Sequence, residues 1–215
     1  MITVFLADDH AVVRDGLTAL LDMQPDIQVV GTAADGRTAV RQVLELRPAV
    51  VIMDIAMPEM NGLLALRQIL EGAPDTPVVI LSMYDDAEQI LRALQAGARG
   101  YLLKASAGAE VADAVRAVHA GRRYLTDKVS DMVIEGYVRL SEGGALESTL
   151  AQLSPREQEV LQLLAEGHSN TEIADKLALA TGTVNVYRSR LMRKLGLDDL
   201  ADLIKFAIRH KLISL

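Results

Sequence analysis

The strongest constraint on this chain is an alternation of two segment types across its first 120 residues. Short apolar runs rich in β-branched side chains occupy Ile2–Ala7, Ile27–Val30, Ala49–Ile55, Pro77–Ser82 and Gly100–Leu103. They are four to seven residues long and apolar on both faces, as strands of a parallel sheet covered on both sides must be. Between them lie amphipathic stretches of helical period, at Val12–Asp22, Arg37–Leu46, Gly62–Leu70, Ala87–Ala96 and Ala109–Ala120. This succession predicts an α/β, doubly wound, five-stranded parallel sheet. In such sheets the loops at the carboxyl ends of the strands build the site.

The pattern weakens after Arg122. Val129–Leu140 reads as a helix, and Ser141 to Gly144 as a turn or linker. Beyond Leu153 the period is purely helical. Ser154 followed by Pro155 and Glu157 is a helix start, with serine as the cap and proline at the first position. Helices are expected at Pro155–Glu166, Thr171–Leu177, Thr181–Leu195 and Leu200–His210, closing on Leu161, Leu164, Ile173, Ala174, Leu177, Val184, Leu191 and Leu195. The expected domains are therefore 1–121, a partly helical linker over 122–150, and a small all-α domain over 151–215.

Composition narrows the function classes. The chain of 215 residues has no cysteine, which excludes disulfides, thiolate metal sites and a cysteine nucleophile. The apolar start is interrupted at once by Asp8, Asp9 and His10, too early for a secretory signal. No stretch has the apolar length of a membrane span, so a cytoplasmic protein with no membrane partner is expected. The net charge of −7 argues against a wholesale polyanion binder. Its distribution is uneven: residues 151–215 carry 9 Lys/Arg against 8 Asp/Glu, and the first 150 carry 13 against 21. Two domains with different partners fit that split.

On the expected strands, Asp8 and Asp9 fall at the end of the first, Asp54 near the end of the third, Ser82 at the end of the fourth and Lys104 just after the fifth. All five therefore gather at one edge of the sheet. Carboxylates that close repel one another, so a divalent cation or a raised pKa must relieve them. Mg²⁺ suits such a site, being a hard ion held by one or two carboxylates with water and phosphate oxygens. Asp9 and Asp54 are the expected direct ligands, Asp8 acts through water, and the backbone carbonyl of Ala56 is a further candidate. Asp54 is also placed to attack a phosphoryl group. Lys104 would share the charge on its oxygens, and the Ser82 hydroxyl would bond another.

Residues 1–121 resemble the receiver domain of response regulators. The motifs that carry the resemblance are Ala7-Asp8-Asp9-His10, Met53-Asp54-Ile55-Ala56-Met57-Pro58 with Asn61-Gly62, Leu81-Ser82-Met83, and Gly100-Tyr101-Leu102-Leu103-Lys104. The resemblance implies a flavodoxin-like sheet of strand order 2-1-3-4-5. It also implies phosphorylation of Asp54 by a cognate sensor histidine kinase. Ser82 and Tyr101 become a switch pair, the hydroxyl moving toward the phosphoryl group and the ring turning inward.

In the last domain, Thr171–Leu177 and Thr181–Leu195 are joined by only Ala178-Leu179-Ala180. That is helix-turn-helix spacing, whose second helix enters the major groove of double-stranded DNA. Thr181, Asn185, Val186 and Ser189 share the face opposite Val184, Leu191 and Leu195, with Arg188, Arg190, Arg193 and Lys194 supplying positive charge. With Thr183 these form the candidate DNA-contacting set. The segment from Leu153-Ser154-Pro155-Arg156-Glu157 through Asn170-Thr171-Glu172-Ile173-Ala174 and Thr183-Val184 to Arg193-Lys194-Leu195-Gly196 looks like the LuxR-type helix-turn-helix. Receiver plus this domain is the arrangement of NarL/FixJ-type regulators, which implies a phosphorylation-controlled transcription factor, homodimeric when active. The chain departs from that pattern at Asn185 (commonly Lys), Tyr187 (often His), Gly182 (usually charged), Ala178 (a common turn glycine) and Ala180 (a common serine cap, for which Thr181 is the available substitute). Asn185 can pair bidentately with adenine, so an altered base preference is expected.

Two rival readings are weaker. An aspartyl-phosphate phosphatase needs a second acid/base carboxylate beside the nucleophile, and Ala56 stands two positions after Asp54. A phosphorylation-independent regulator has no use for the acidic set that this chain keeps.

Overall fold

The computed structural model describes residues 1–83, 85–141, 149–197, 199–210 and 212–213. Chain contacts divide it into two compact units, one of residues 1–57 and 61–146, the other of 58–60 and 147–215.

The first unit is built by the apolar runs. Strands β1 (Ile2–Ala7), β2 (Ile27–Ala33), β3 (Val50–Asp54), β4 (Val78–Ser82) and β5 (Gly100–Leu103) alternate with helices α1 (Ala11–Asp22), α2 (Gly36–Leu46), α3 (Gly62–Gly72), α4 (Ala87–Gln95) and α5 (Ala107–His119). Every residue of β3 and β4 is buried. Val4, Leu6, Ile52, Val79, Leu81 and Leu102 form one core with Leu17 and Leu21 of α1 and Val111, Val115 and Val118 of α5. Helices α1 and α5 pack together, as do α2 and α3. Both faces of the sheet are therefore covered, which is why the strands carry no polar alternation.

The order is β2-β1-β3-β4-β5-β6, with all neighbours parallel. The expected order of the five holds, but the sheet has a sixth strand. Strand β6 (Tyr124–Leu125) pairs with Gly100 and Tyr101 of β5. A two-residue strand is too short to show an apolar period, so the sequence reads as linker there. Helix α6 (Asp127–Ser141) follows and packs against α4, with the Lys128 ammonium 2.9 Å from Asp85. The segment after residue 121 thus begins as part of the first unit rather than as a free linker. Of the expected turn, residues 142–144 lie outside the described residues.

The second unit opens with a short 3₁₀ turn (Thr149–Gln152), then α7 (Pro155–Ala165), α8 (Asn170–Leu177), α9 (Thr181–Leu195) and α10 (Leu200–Arg209). Ser154 and Glu157 form a reciprocal capping box, and Ser169 and Glu172 form another. Val160, Leu161, Leu164, Ile173, Leu177, Val184, Leu191, Leu203 and Phe206 close the core.

The turn between α8 and α9 is poorly furnished. Ala178 is left-handed (φ 51°), a conformation in which a Cβ is disfavoured and glycine is free. Ala180 caps α9 with no side-chain hydrogen bond. Thr181 does not take over, because it already lies inside the helix. Ala178→Gly and Ala180→Ser are each expected to stabilise the second unit by about 1 kcal/mol, read as a higher urea midpoint.

Candidate functional site

The parallel topology delivers Asp8, Asp9, Asp54, Ser82 and Lys104 to the carboxyl edge of the sheet. Registers place Ala7 beside Met53, Asp54 beside Leu81, and Ser82 beside Leu103. The side chains meet there. The Lys104 ammonium donates to Asp54 Oδ2 at 2.7 Å and lies 2.7 Å from Asp8 Oδ2. Asp8 and Ser82 are fully buried and Asp54 nearly so. The backbone N–H of His10 donates to Asp8 Oδ1 (2.8 Å), and that of Ala56 to Asp54 Oδ1 (3.3 Å).

Two opposed effects set the charges. Burial pushes the Asp54 carboxyl up to about 6, against the pull of Lys104. For Lys104, burial acts downward, but Asp54 and Asp8 together raise the ammonium above its ordinary value. One cation thus serves two carboxylates, and Asp54 carries the residual cost of ionising in a dry site.

Asp8, Asp9, His10 and Asp54 each offer a ligand atom, all within 4.8 Å of one another. Asp8 Oδ2 lies 2.7 Å from Lys104 Nζ, and Asp9 Oδ1 lies 2.6 Å from His10 Nδ1. Carboxylate oxygens gathered so closely are suited to a hard cation such as Mg²⁺.

Backbone geometry holds Asp54 in place. Gly62 donates its N–H to the Ile55 carbonyl at 2.8 Å, and a Cβ there would stand 1.9 Å from the Asp54 carbonyl oxygen. Only glycine permits that approach. Asn61 caps α3 through the N–H of Leu64 (3.0 Å). Tyr101 is fully buried beside Ser82. Burial lifts its phenol well above the ordinary range, and a hydrogen bond with Ser82 opposes the rise.

Sequence reasoning passed over two neighbours. His10 stands against Asp9, and Arg14 donates to the Asp8 carbonyl at 2.7 Å, bracing the strand end. Their signal was position: His10 follows the aspartate pair directly, and Arg14 lies one helical turn beyond it.

In the second unit, Thr181, Thr183, Asn185, Val186, Ser189, Arg190 and Arg193 are exposed on α9, and Arg188 is half-buried. Asn185, Val186, Ser189, Arg190 and Arg193 line one recess. Lys194 is exposed as well and pairs with Glu157. Its ammonium lies 2.7 Å from Glu157 and 3.1 Å from the Gln152 carbonyl. Glu157 is nearly fully buried, and although burial opposes it, Lys194 and Ser154 hold its carboxyl below the usual range. Lys194, which the sequence grouped with the DNA-contacting residues, is exposed and also supplies the cation that the buried Glu157 carboxylate needs.

Residues 4–116 match the response regulator receiver domain, and residues 151–207 match the bacterial regulatory proteins of the luxR family. The chain is a LuxR-type response regulator. It is 40% identical over 215 residues to the oxygen regulatory protein NreC of Staphylococcus epidermidis, an alignment covering 98% of this chain and 99% of NreC. Among solved structures, this response regulator resembles a LuxR-family two-component regulator from Aurantimonas (TM-score 0.62, 34% identity, 64% of this chain and 99% of that one). It also resembles RcsB of Salmonella typhimurium (TM-score 0.58, 27% identity, 97% of this chain and 98% of that one). RcsB has been solved in complex with DNA, including as dimers. Membership makes this chain a regulator of transcription under the control of phosphorylation, with a receiver served by a histidine kinase and a domain that binds DNA. No helix among the described residues is long and apolar enough to cross a membrane.

Proposed function

We propose that Asp54 is the phosphoacceptor of this regulator. The observation that carries the reading is the single Lys104 ammonium held 2.7 Å from both Asp54 and Asp8, beside oxygens suited to a cation. Mg²⁺ would be held by Asp9, Asp54 and the Ala56 carbonyl, with Asp8 acting through water. When bound, it offsets the carboxylate charge and draws charge from phosphoryl oxygens. An Asp54 carboxylate oxygen attacks the phosphorus of a kinase phosphohistidine. The P–N bond breaks, and its electron pair stays on the imidazole. Lys104 then takes a phosphoryl oxygen as its counter-charge.

Ser82 hydrogen-bonds Tyr101 and is the hydroxyl placed to bond the incoming phosphoryl group. Drawing it toward Asp54 changes what holds the Tyr101 ring, which makes the pair the switch. The active form is a homodimer that sets two α9 helices into major-groove sites roughly one helical turn apart or multiples of it; the RcsB dimers on DNA support this reading. Thr181, Thr183, Asn185, Val186, Arg188, Ser189, Arg190, Arg193 and Lys194 form the DNA face, and the protein works in the cytoplasm. It is a switch rather than an enzyme, since Ala56 offers no group to activate water against the phosphoaspartate.

Intact mass after incubation with Mg²⁺ and acetyl phosphate tests the site. One added phosphoryl group on the wild-type chain and none on Asp54→Asn is expected. Equal modification of both would place the phosphoacceptor elsewhere.

A further inference from the structure

A hydrogen bond joins the two helices of the helix-turn-helix on their exposed side. Asn170, the first residue of α8, donates through Nδ2 to Asn185 Oδ1 on α9, at 2.6 Å across 15 residues of sequence. Neither amide is used by the core. The Asn170 side chain is outside the Ser169–Glu172 capping box, and Asn185 lies in the recess with Val186, Ser189, Arg190 and Arg193.

The bond decides which atoms Asn185 offers outward. An asparagine amide is free to rotate and present either its oxygen or its nitrogen. Here the oxygen is tied toward Asn170 and keeps one lone pair, while both N–H bonds of Asn185 Nδ2 remain for a ligand. Adenine in the major groove shows an N6 donor and an N7 acceptor; guanine shows two acceptors, O6 and N7. An amide held with both oxygen and nitrogen at its edge matches adenine. To serve guanine it must turn its nitrogen to both acceptors, and the tie to Asn170 resists that turn.

We propose that Asn170 is a positioning residue that fixes the Asn185 amide for adenine, so that each half-site of the operator carries adenine at the position under Asn185. The inference rests on the reading of α9 as the DNA-contacting helix.

The experiment uses the full-length chain, treated with Mg²⁺ and acetyl phosphate, to select duplexes from a randomised library. The selected duplex is then re-measured with that one adenine replaced by guanine, and with 7-deazaadenine, which lacks N7. The wild type is expected to bind the adenine duplex about 10-fold or more tighter than the guanine duplex, and to lose affinity with the 7-deaza base. Asn170→Ala and the isosteric Asn170→Asp, which cannot donate, are expected to shrink the adenine-to-guanine ratio to about 3-fold or less while the other positions keep their preferences. Asn185→Lys should move the preference to guanine. A folding defect would instead weaken every duplex alike and lower the melting temperature. An unchanged ratio in both Asn170 variants, with a changed one in Asn185→Ala, would overturn the role of Asn170. Full binding by Arg190→Ala with Arg193→Ala would overturn the reading of α9 itself, a distinguishable failure.

Discussion

Gly62→Ala is expected to cost the first unit about 3 kcal/mol of stability and to slow phosphorylation by acetyl phosphate roughly 100-fold. The added Cβ would stand 1.9 Å from the Asp54 carbonyl oxygen and 2.9 Å from its carbon. Those are backbone atoms at the end of a central strand, so relief requires moving Asp54 itself. A displacement of about 1 Å suffices to remove a nucleophile from line with its phosphorus. Gly16→Ala is the control. That glycine is exposed on α1 with nothing within 4 Å of the added carbon, and its replacement should gain about 0.5–1 kcal/mol. Urea unfolding and a mass-spectrometric time course read both effects. A Gly62→Ala chain that is phosphorylated at the wild-type rate would show that the close approach does not position Asp54.

Asp54→Asn is expected to stabilise the metal-free first unit at pH 7 by about 2–3 kcal/mol, at about 1.4 kcal/mol for each pKa unit. The folded carboxyl titrates at about 6, above its ordinary 3.8, because burial disfavours the charged form more than Lys104 favours it. A raised folded pKa means the folded state holds its proton more tightly than the unfolded one. The contribution is therefore complete below about pH 4 and is lost as pH rises through 6. Wild-type stability should fall across that window, and the Asp54→Asn chain should not follow it. Adding Mg²⁺ should restore the wild type at neutral pH, through binding to the folded state, and do little for the variant. Hydrogen exchange of the β3 and β4 amides follows the first unit alone. A variant no more stable than wild type at pH 7 would show that Lys104 already neutralises the site.

The two expectations share one cause. The acidic edge is assembled at the expense of stability, by pressing a backbone against glycine and burying carboxylates with a single cation. Sites that must discriminate between states are built this way. A ligand moves an equilibrium only by its differential affinity for the two states, and a half-neutralised pocket is where a phosphoryl group and a cation gain that difference.

Much of this was legible in the sequence because its signals are local and periodic. The apolar runs declared the strands, and strand ends declared the edge, so Asp8, Asp9, Asp54, Ser82 and Lys104 could be grouped without coordinates. Ser154-Pro155 declared a helix start because the cap is made within four residues. The exposed face of α9 followed from its 3.6-residue period.

What remained for the tertiary structure depends on partners distant in sequence. Strand β6 is two residues that count as a strand only because β5 offers an edge. Lys194 pairs with Glu157, 37 residues away, a partner its period could not suggest. The tie between Asn170 and Asn185 exists only once α8 and α9 are folded against each other. Gly62 reads in the sequence as a helix start and part of the motif after Asp54, but that a Cβ there would meet the Asp54 carbonyl is visible only in the fold. Period and capping specify which residues share a face. Which atom on that face meets which partner is settled by packing, where a shift of an ångström makes or breaks a hydrogen bond.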